Sequence, residues 1–199
     1  MDLTHYKPTA LEELISRHYQ QGNIHFPCDL DIEMIADMFG IELHYHDGKS
    51  FADWADNNYS YIVIDSRLKI EERRIHFFHE ICHPLRHSGI QDKMNKAFLE
   101  LQEIQAAHFQ YYAAMPYYML SEFQYVSPTL LIKTLAAEFI LPEKFVERRL
   151  EQVKRRIYIG RQDHEINTRW NTPVKVTMAD VRRIMEEFGR RKIEREGSY

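Results

Sequence analysis

A mostly helical α+β fold with a small sheet is what this sequence predicts. Two short stretches have strand character. IELHYH (residues 41–46) alternates, and YSYIVIDS (59–66) is β-branched and aromatic enough to be mostly buried. Nearly every other periodic segment repeats at helical spacing. The stretch HFFHEICHPLRH (76–87) places four histidines three, four and four residues apart, so one helix face can carry them all.

The elements follow in order. Thr9 can cap a helix running to about Gln21, with Leu11, Leu14, Ile15 and His18 on one face. Residues 31–39 form a second short helix, stopped by Gly40. After the first strand, HDGKSFADWADNN reads as a turn-rich loop, and the second strand follows it. Residues 68–83 are helical. Residues 92–112 are a periodic helix in which Phe98, Leu101, Ile104, Ala107, His108 and Tyr111 fit one 3.6-residue repeat. Ser127-Pro128 starts a helix to about Phe139, because proline suits a first turn. Leu141-Pro142 opens another to about Ile157. Residues 158–176 read as a loop with a strand or two. A capping box at Thr177 begins a last helix.

The 199 residues suit one domain, or one domain with an appendage. No apolar run approaches the roughly 18 residues that cross a bilayer, and the N-terminus lacks a signal pattern. A cytoplasmic protein with no membrane partner is expected, with Cys28 and Cys82 reduced. The net charge is −4, unevenly spread: residues 148–199 carry 14 Lys/Arg against 8 Asp/Glu, while the remainder is acidic. A solvated basic helix accounts for that tail, and direct nucleic-acid binding is not expected.

Within the histidine-rich stretch lies His79-Glu80-Ile81-Cys82-His83, an HExxH pattern. On a helix, residues four apart sit about 6 Å apart along the axis, and two imidazoles there can close on one zinc ion. Glu80 then stands beside the metal without ligating it, able to take a proton from a water whose pKa the metal lowers. A catalytic zinc needs a third protein ligand and an open position. The next helix offers Glu103, on a stripe with Ala106, Ala107, Gln110 and Ala114, small residues that let two helices approach. Glu100 is the alternative, about 60° round the helix and nearer its polar side. His76 and His87 lie about 16 Å apart on a straight helix, so both cannot serve one ion; each reads as a packed or solvent-facing side chain. Pro84 cannot donate to the Glu80 carbonyl, so the helix should kink or end just after His83. Cys82 reads as a buried small apolar residue.

Three blocks resemble the ImmA/IrrE metallopeptidases. They are YIVIDSRLKIEERRIHFFHEICH, the spaced set Glu103, Ala106, Phe109 and Pro116, and LAAEFILPEKFVERRL (135–150). The family often has glycine where Cys82 stands and asparagine where Ala107 stands. The resemblance covers about residues 30–150 and implies a zincin-like (gluzincin-like) peptidase; the chain reads as that domain over residues 1–126, a helical extension over 127–158 packed on it, and a basic tail over 159–199 that resembles nothing in the family. It implies one Zn2+ held by His79, His83 and Glu103, with Glu80 as the catalytic base. In such folds the strand before the active-site helix is often an edge to which a peptide adds, which would be residues 59–65; an ordinary interior strand there is an equal alternative. The expected activity is hydrolysis of a peptide bond in a protein partner, a helix-turn-helix phage-type repressor by the resemblance. The competing reading is a non-catalytic module that contacts a repressor or DNA. Tyr59, Tyr61, Tyr111, Tyr112 and Tyr117 are available to stabilise an oxyanion, and the sequence selects none of them.

Overall fold

The computed structural model describes residues 2–54, 59–87, 95–171 and positions 179, 182 and 183. Contacts divide the chain into a unit Met1–Arg161 and a unit Gln162–Tyr199. The expected last helix after Thr177 lies outside the described residues.

The order is α1 (Ala10–Gln21), α2 (Ile32–Met38), β1 (Glu42–His46), β2 (Phe51–Trp54), β3 (Ser60–Asp65), α3 (Ile70–Glu80), α4 (Cys82–Arg86), α5 (Lys96–Ala114), α6 (Pro128–Phe139) and α7 (Glu143–Asn171), with 3-10 turns at Pro27–Asp29 and Tyr117–Phe123. The fold is α+β, as the sequence predicts. Thr9 caps α1 in a full capping box: its hydroxyl accepts from the Glu12 N–H, and the Glu12 carboxylate accepts from the Thr9 N–H. Asp31 caps α2, and Gly40 follows its end in the left-handed region at φ 67°.

The sheet has the order β1-β3-β2. β1 runs parallel to β3 with Leu43 opposite Ile62, and β2 runs antiparallel with Ala52 opposite Ile62. The segment read as a loop contains β2, which changes one expectation, and of the two placements open for β3, edge or interior, the interior one holds. Its Ile62 and Ile64 are fully buried on the face that packs on α3. β2 is short and carries only Phe51, Ala52, Asp53 and Trp54, too few residues for an alternation to stand out from its turn-rich flanks.

One core runs from Ile15 and Tyr19 of α1 through Phe77 and Phe78 of α3 and Ala106 and Phe109 of α5 to Leu135, Phe139, Val146 and Val153 of α6 and α7. The buried stripe of α5 is Gln102, Ala106, Phe109 and Ala113. Phe98, Leu101 and Ile104, which fit the apolar repeat, are instead exposed. Alanines at 106, 113 and 114 in that buried set let α5 lie close against α3 and α4. Residues 158–171 continue α7 rather than forming strands. Gly160 there marks no break: a Cβ on it would lie 1.9 Å from the His5 carbonyl oxygen, so glycine admits the N-terminal segment against the helix. Among the described residues, no helix is long and apolar enough to cross a membrane.

Candidate metal centre

α3 and α4 are two lengths of one nearly continuous helix. Pro84 cannot donate to the Glu80 carbonyl, and the ladder is interrupted at Ile81, one turn before the proline. Ile81 nevertheless keeps helical angles (φ −64°, ψ −22°), and its N–H still bonds to the Phe77 carbonyl at 2.9 Å. The path then runs on to Arg86, further than the sequence implied. His79 and His83 therefore stay in helical register, their ring centroids 5.4 Å apart.

α5 brings the carboxylate. Glu103 Oε2 lies 3.2 Å from His79 Nε2, and its Oε1 lies 3.7 Å from His83 Nε2. Ligand atoms of His79, His83 and Glu103 all fall within 4.8 Å of one another, a group able to hold a metal ion. Glu100 faces elsewhere and pairs with Lys96 at 3.8 Å. The donor set suits zinc: two imidazole nitrogens, one carboxylate, and open space beside them for a fourth position. Burial first, then the neighbouring His79 and His87, push His83 down to about 4 against the pull of Glu103; its ring is neutral at pH 7, the form that ligates.

The open space is a cavity of about 390 Å3 lined by the three candidate ligands together with residues of β2 and α3, Phe51 and His76 among them, and by Lys49. Glu80 sits in its wall. Burial, then the Glu103 carboxylate, push Glu80 up to about 7, against the Ala52 N–H that donates to it and the charge of Lys49. Burial, then His79, lower His76, so its imidazole is neutral at pH 7. Cys82 is fully buried, and burial first pushes its thiol up to about 12, which keeps it protonated. None of the five tyrosines lines the cavity. Tyr59 and Tyr61 donate to Glu42 and Asp53, Tyr111 stacks on Phe145, Tyr112 lies under Arg149, and Tyr117 stacks on Tyr6.

Two side chains that sequence reasoning did not place lie against His83, and a third reaches it through one of them. Trp54 of β2 lies parallel to its ring, at 5.9 Å between centroids and 11° between planes. The Nδ1 of His87 is 3.1 Å from the Nδ1 of His83, and its Nε2 is 3.1 Å from Gln105 Oε1. The helical spacing of His87 was a signal for its contact with His83; nothing local announced Trp54 or Gln105.

A family model for the IrrE N-terminal-like domain, Peptidase_M78, matches residues 36–151. The phage-like element PBSX protein XkdA of Bacillus subtilis (strain 168) is 35% identical over 147 residues, 73% of this chain and 74% of that protein. The uncharacterized protein YqaB of the same organism is 29% identical over 154 residues, 76% of this chain and 88% of that one. Among solved structures, a Mycobacterium tuberculosis transcriptional regulator aligns with a TM-score of 0.46 and 16% identity, covering 72% of this chain and 47% of that one, so this chain spans about half its length. The chain belongs to the Peptidase_M78 family, and its IrrE N-terminal-like domain is the part that carries the His79, His83 and Glu103 cluster.

Proposed function

We propose that the chain is a zinc-dependent endopeptidase that hydrolyses a peptide bond in a protein, with a helix-turn-helix repressor of a phage-type system as the substrate class to test first. The observation that carries this is the convergence of His79, His83 and Glu103, with Glu80, on the lining of one open cavity. Family membership supports the peptidase chemistry, and the relative from a phage-like element supports the substrate class.

His79, His83 and Glu103 would hold the zinc. When bound, zinc polarises the scissile carbonyl and makes water a better nucleophile at neutral pH. Glu80 takes the proton from the attacking water and passes it to the leaving amine. A carboxyl held near neutrality suits both transfers, since it neither binds nor releases the proton too tightly. His76 and Gln110 are neutral donors in the cavity lining, available to the carbonyl oxygen as charge builds on it. The extended substrate adds alongside β2, the edge strand whose Phe51 and Ala52 border the cavity, in place of the central β3.

The test compares the wild type with Glu80→Gln for bound zinc and for cleavage of candidate repressors. Both should hold stoichiometric zinc, and the variant should lose about 10²–10⁴-fold in cleavage rate, the usual share of a general base. If Glu80→Gln sustains the biological effect undiminished, the protein acts by binding alone.

A further inference from the structure

Two imidazoles face each other across 3.1 Å through their Nδ1 atoms, and only one proton fits between them. The far side of His87 decides which ring supplies it. Its Nε2 lies 3.1 Å from Gln105 Oε1, a carbonyl oxygen, which can only accept. His87 therefore carries its proton on Nε2. With its proton on that nitrogen, His87 presents a lone pair at Nδ1 to the His83 ring. His83 must donate its Nδ1–H, and its own lone pair is left on Nε2, the nitrogen 3.7 Å from Glu103.

We infer that Gln105 and His87 form a relay that fixes the tautomer of His83 and so positions it as a metal ligand. The inference rests on the metallopeptidase reading. Metal-binding histidines usually donate the other ring N–H to a carboxylate, a backbone carbonyl or water. Here an imidazole fills that place, and a side-chain amide in turn holds the imidazole. The contact between the two rings is shielded from solvent: His83 and His87 are both buried, the Trp54 indole stacks on the His83 ring, and Gln105 holds the outer end at the surface. Gln105 and His87 touch no reacting atom; they are positioning residues.

The decisive measurement is a long-range proton–nitrogen NMR correlation of the histidine rings in the 15N-labelled, zinc-loaded chain. His83 should show its proton on Nδ1 and His87 on Nε2. Chelator competition then reads zinc affinity in four variants. His87→Leu removes the acceptor and should weaken zinc binding about 10-fold or more, the usual effect of losing such a partner. His87→Asn keeps an acceptor oxygen close to where Nδ1 stood and should remain within about 3-fold of wild type. Gln105→Leu should weaken binding and blur the His87 tautomer, while Gln105→Glu should preserve both. Reversed tautomers in the wild type, or unchanged affinity in His87→Leu, would overturn the relay while leaving zinc and cleavage intact. A wild-type chain that takes up no zinc would bring down the metallopeptidase reading and the relay with it. Because the NMR measurement uses the unmutated chain, the inference stays testable even if a variant fails to fold.

Discussion

Glu103 shows how a single residue ties the helices together. It stands on the inward-leaning side of α5, where its two carboxylate oxygens reach both imidazoles of the HExxH pair. Glu100, one turn earlier, points to Lys96 and solvent. Glu103→Ala should therefore lower zinc retention by more than the roughly 10–100-fold that loss of a ligand's hydrogen-bond partner costs. Glu100→Ala should leave it unchanged. Elemental analysis after dialysis checks both, and equal losses would mean that the two carboxylates share the ion. The closeness of the His79 and His83 rings was readable because residues four apart on a helix meet whatever the rest of the chain does. Choosing Glu103 over Glu100 needed only the helical angle and the row of alanines beside it. Of the groups around His83, only His87 was signalled by helical spacing; Trp54, which stacks on the ring, and Gln105, which bonds to His87, come from other elements.

At the scale of elements, the departures share a cause. β2 is a four-residue edge strand whose pairing with β3 comes from across the hairpin, and its sequence resembles the loop around it. The exposed row Phe98, Leu101 and Ile104 outscored the true inward stripe of α5 because hydrophobicity alone ignores how close a neighbouring helix must come. α7 continues through Gly160, where glycine serves the passage of the N-terminal segment. Gly160→Ala sets two effects against each other. Alanine favours a helix interior by about 1 kcal/mol, but its Cβ would meet the His5 carbonyl at 1.9 Å. Overpacking of that kind costs about 1–3 kcal/mol, so the variant should unfold at lower urea concentration. A higher midpoint would show that the N-terminal segment yields freely.

Within the Met1–Arg161 unit, a buried ion pair links distant parts of the chain. Arg149 is fully buried, donating to Glu12 Oε1 at 2.7 Å and to the Met115 carbonyl at 3.1 Å, with its guanidinium 4.8 Å from the centre of the Tyr112 ring. Tyr6 also donates to the Glu12 carboxylate. Breaking such a pair strands a buried charge, so Glu12→Gln and Arg149→Met should each cost about 3–5 kcal/mol. The double variant should cost less than their sum, as urea unfolding in a double-mutant cycle will show. The pair also gives stability a sign with pH. Burial raises the Glu12 carboxyl, but Arg149, the Thr9 N–H and Tyr6 together outweigh it and leave its pKa lowered. A carboxyl lowered in the folded state stabilises fully above its unfolded value, and that contribution is lost as pH falls through the folded value. The acid limb of wild-type stability should accordingly be steeper than that of Glu12→Gln. Parallel limbs would mean that Glu12 titrates alike in the folded and unfolded chain.

The sequence by itself determined what depends on near neighbours along the chain: the helical register of the HExxH pair, the caps of α1 and α2, the α+β class and the family resemblance. Only the tertiary structure decided which strand is central and which lie at the edges, which side of α5 is buried, and what surrounds the His83 ring. Those features arise from contacts between elements far apart in sequence, where spatial approach and hydrogen-bond partners matter more than any local period.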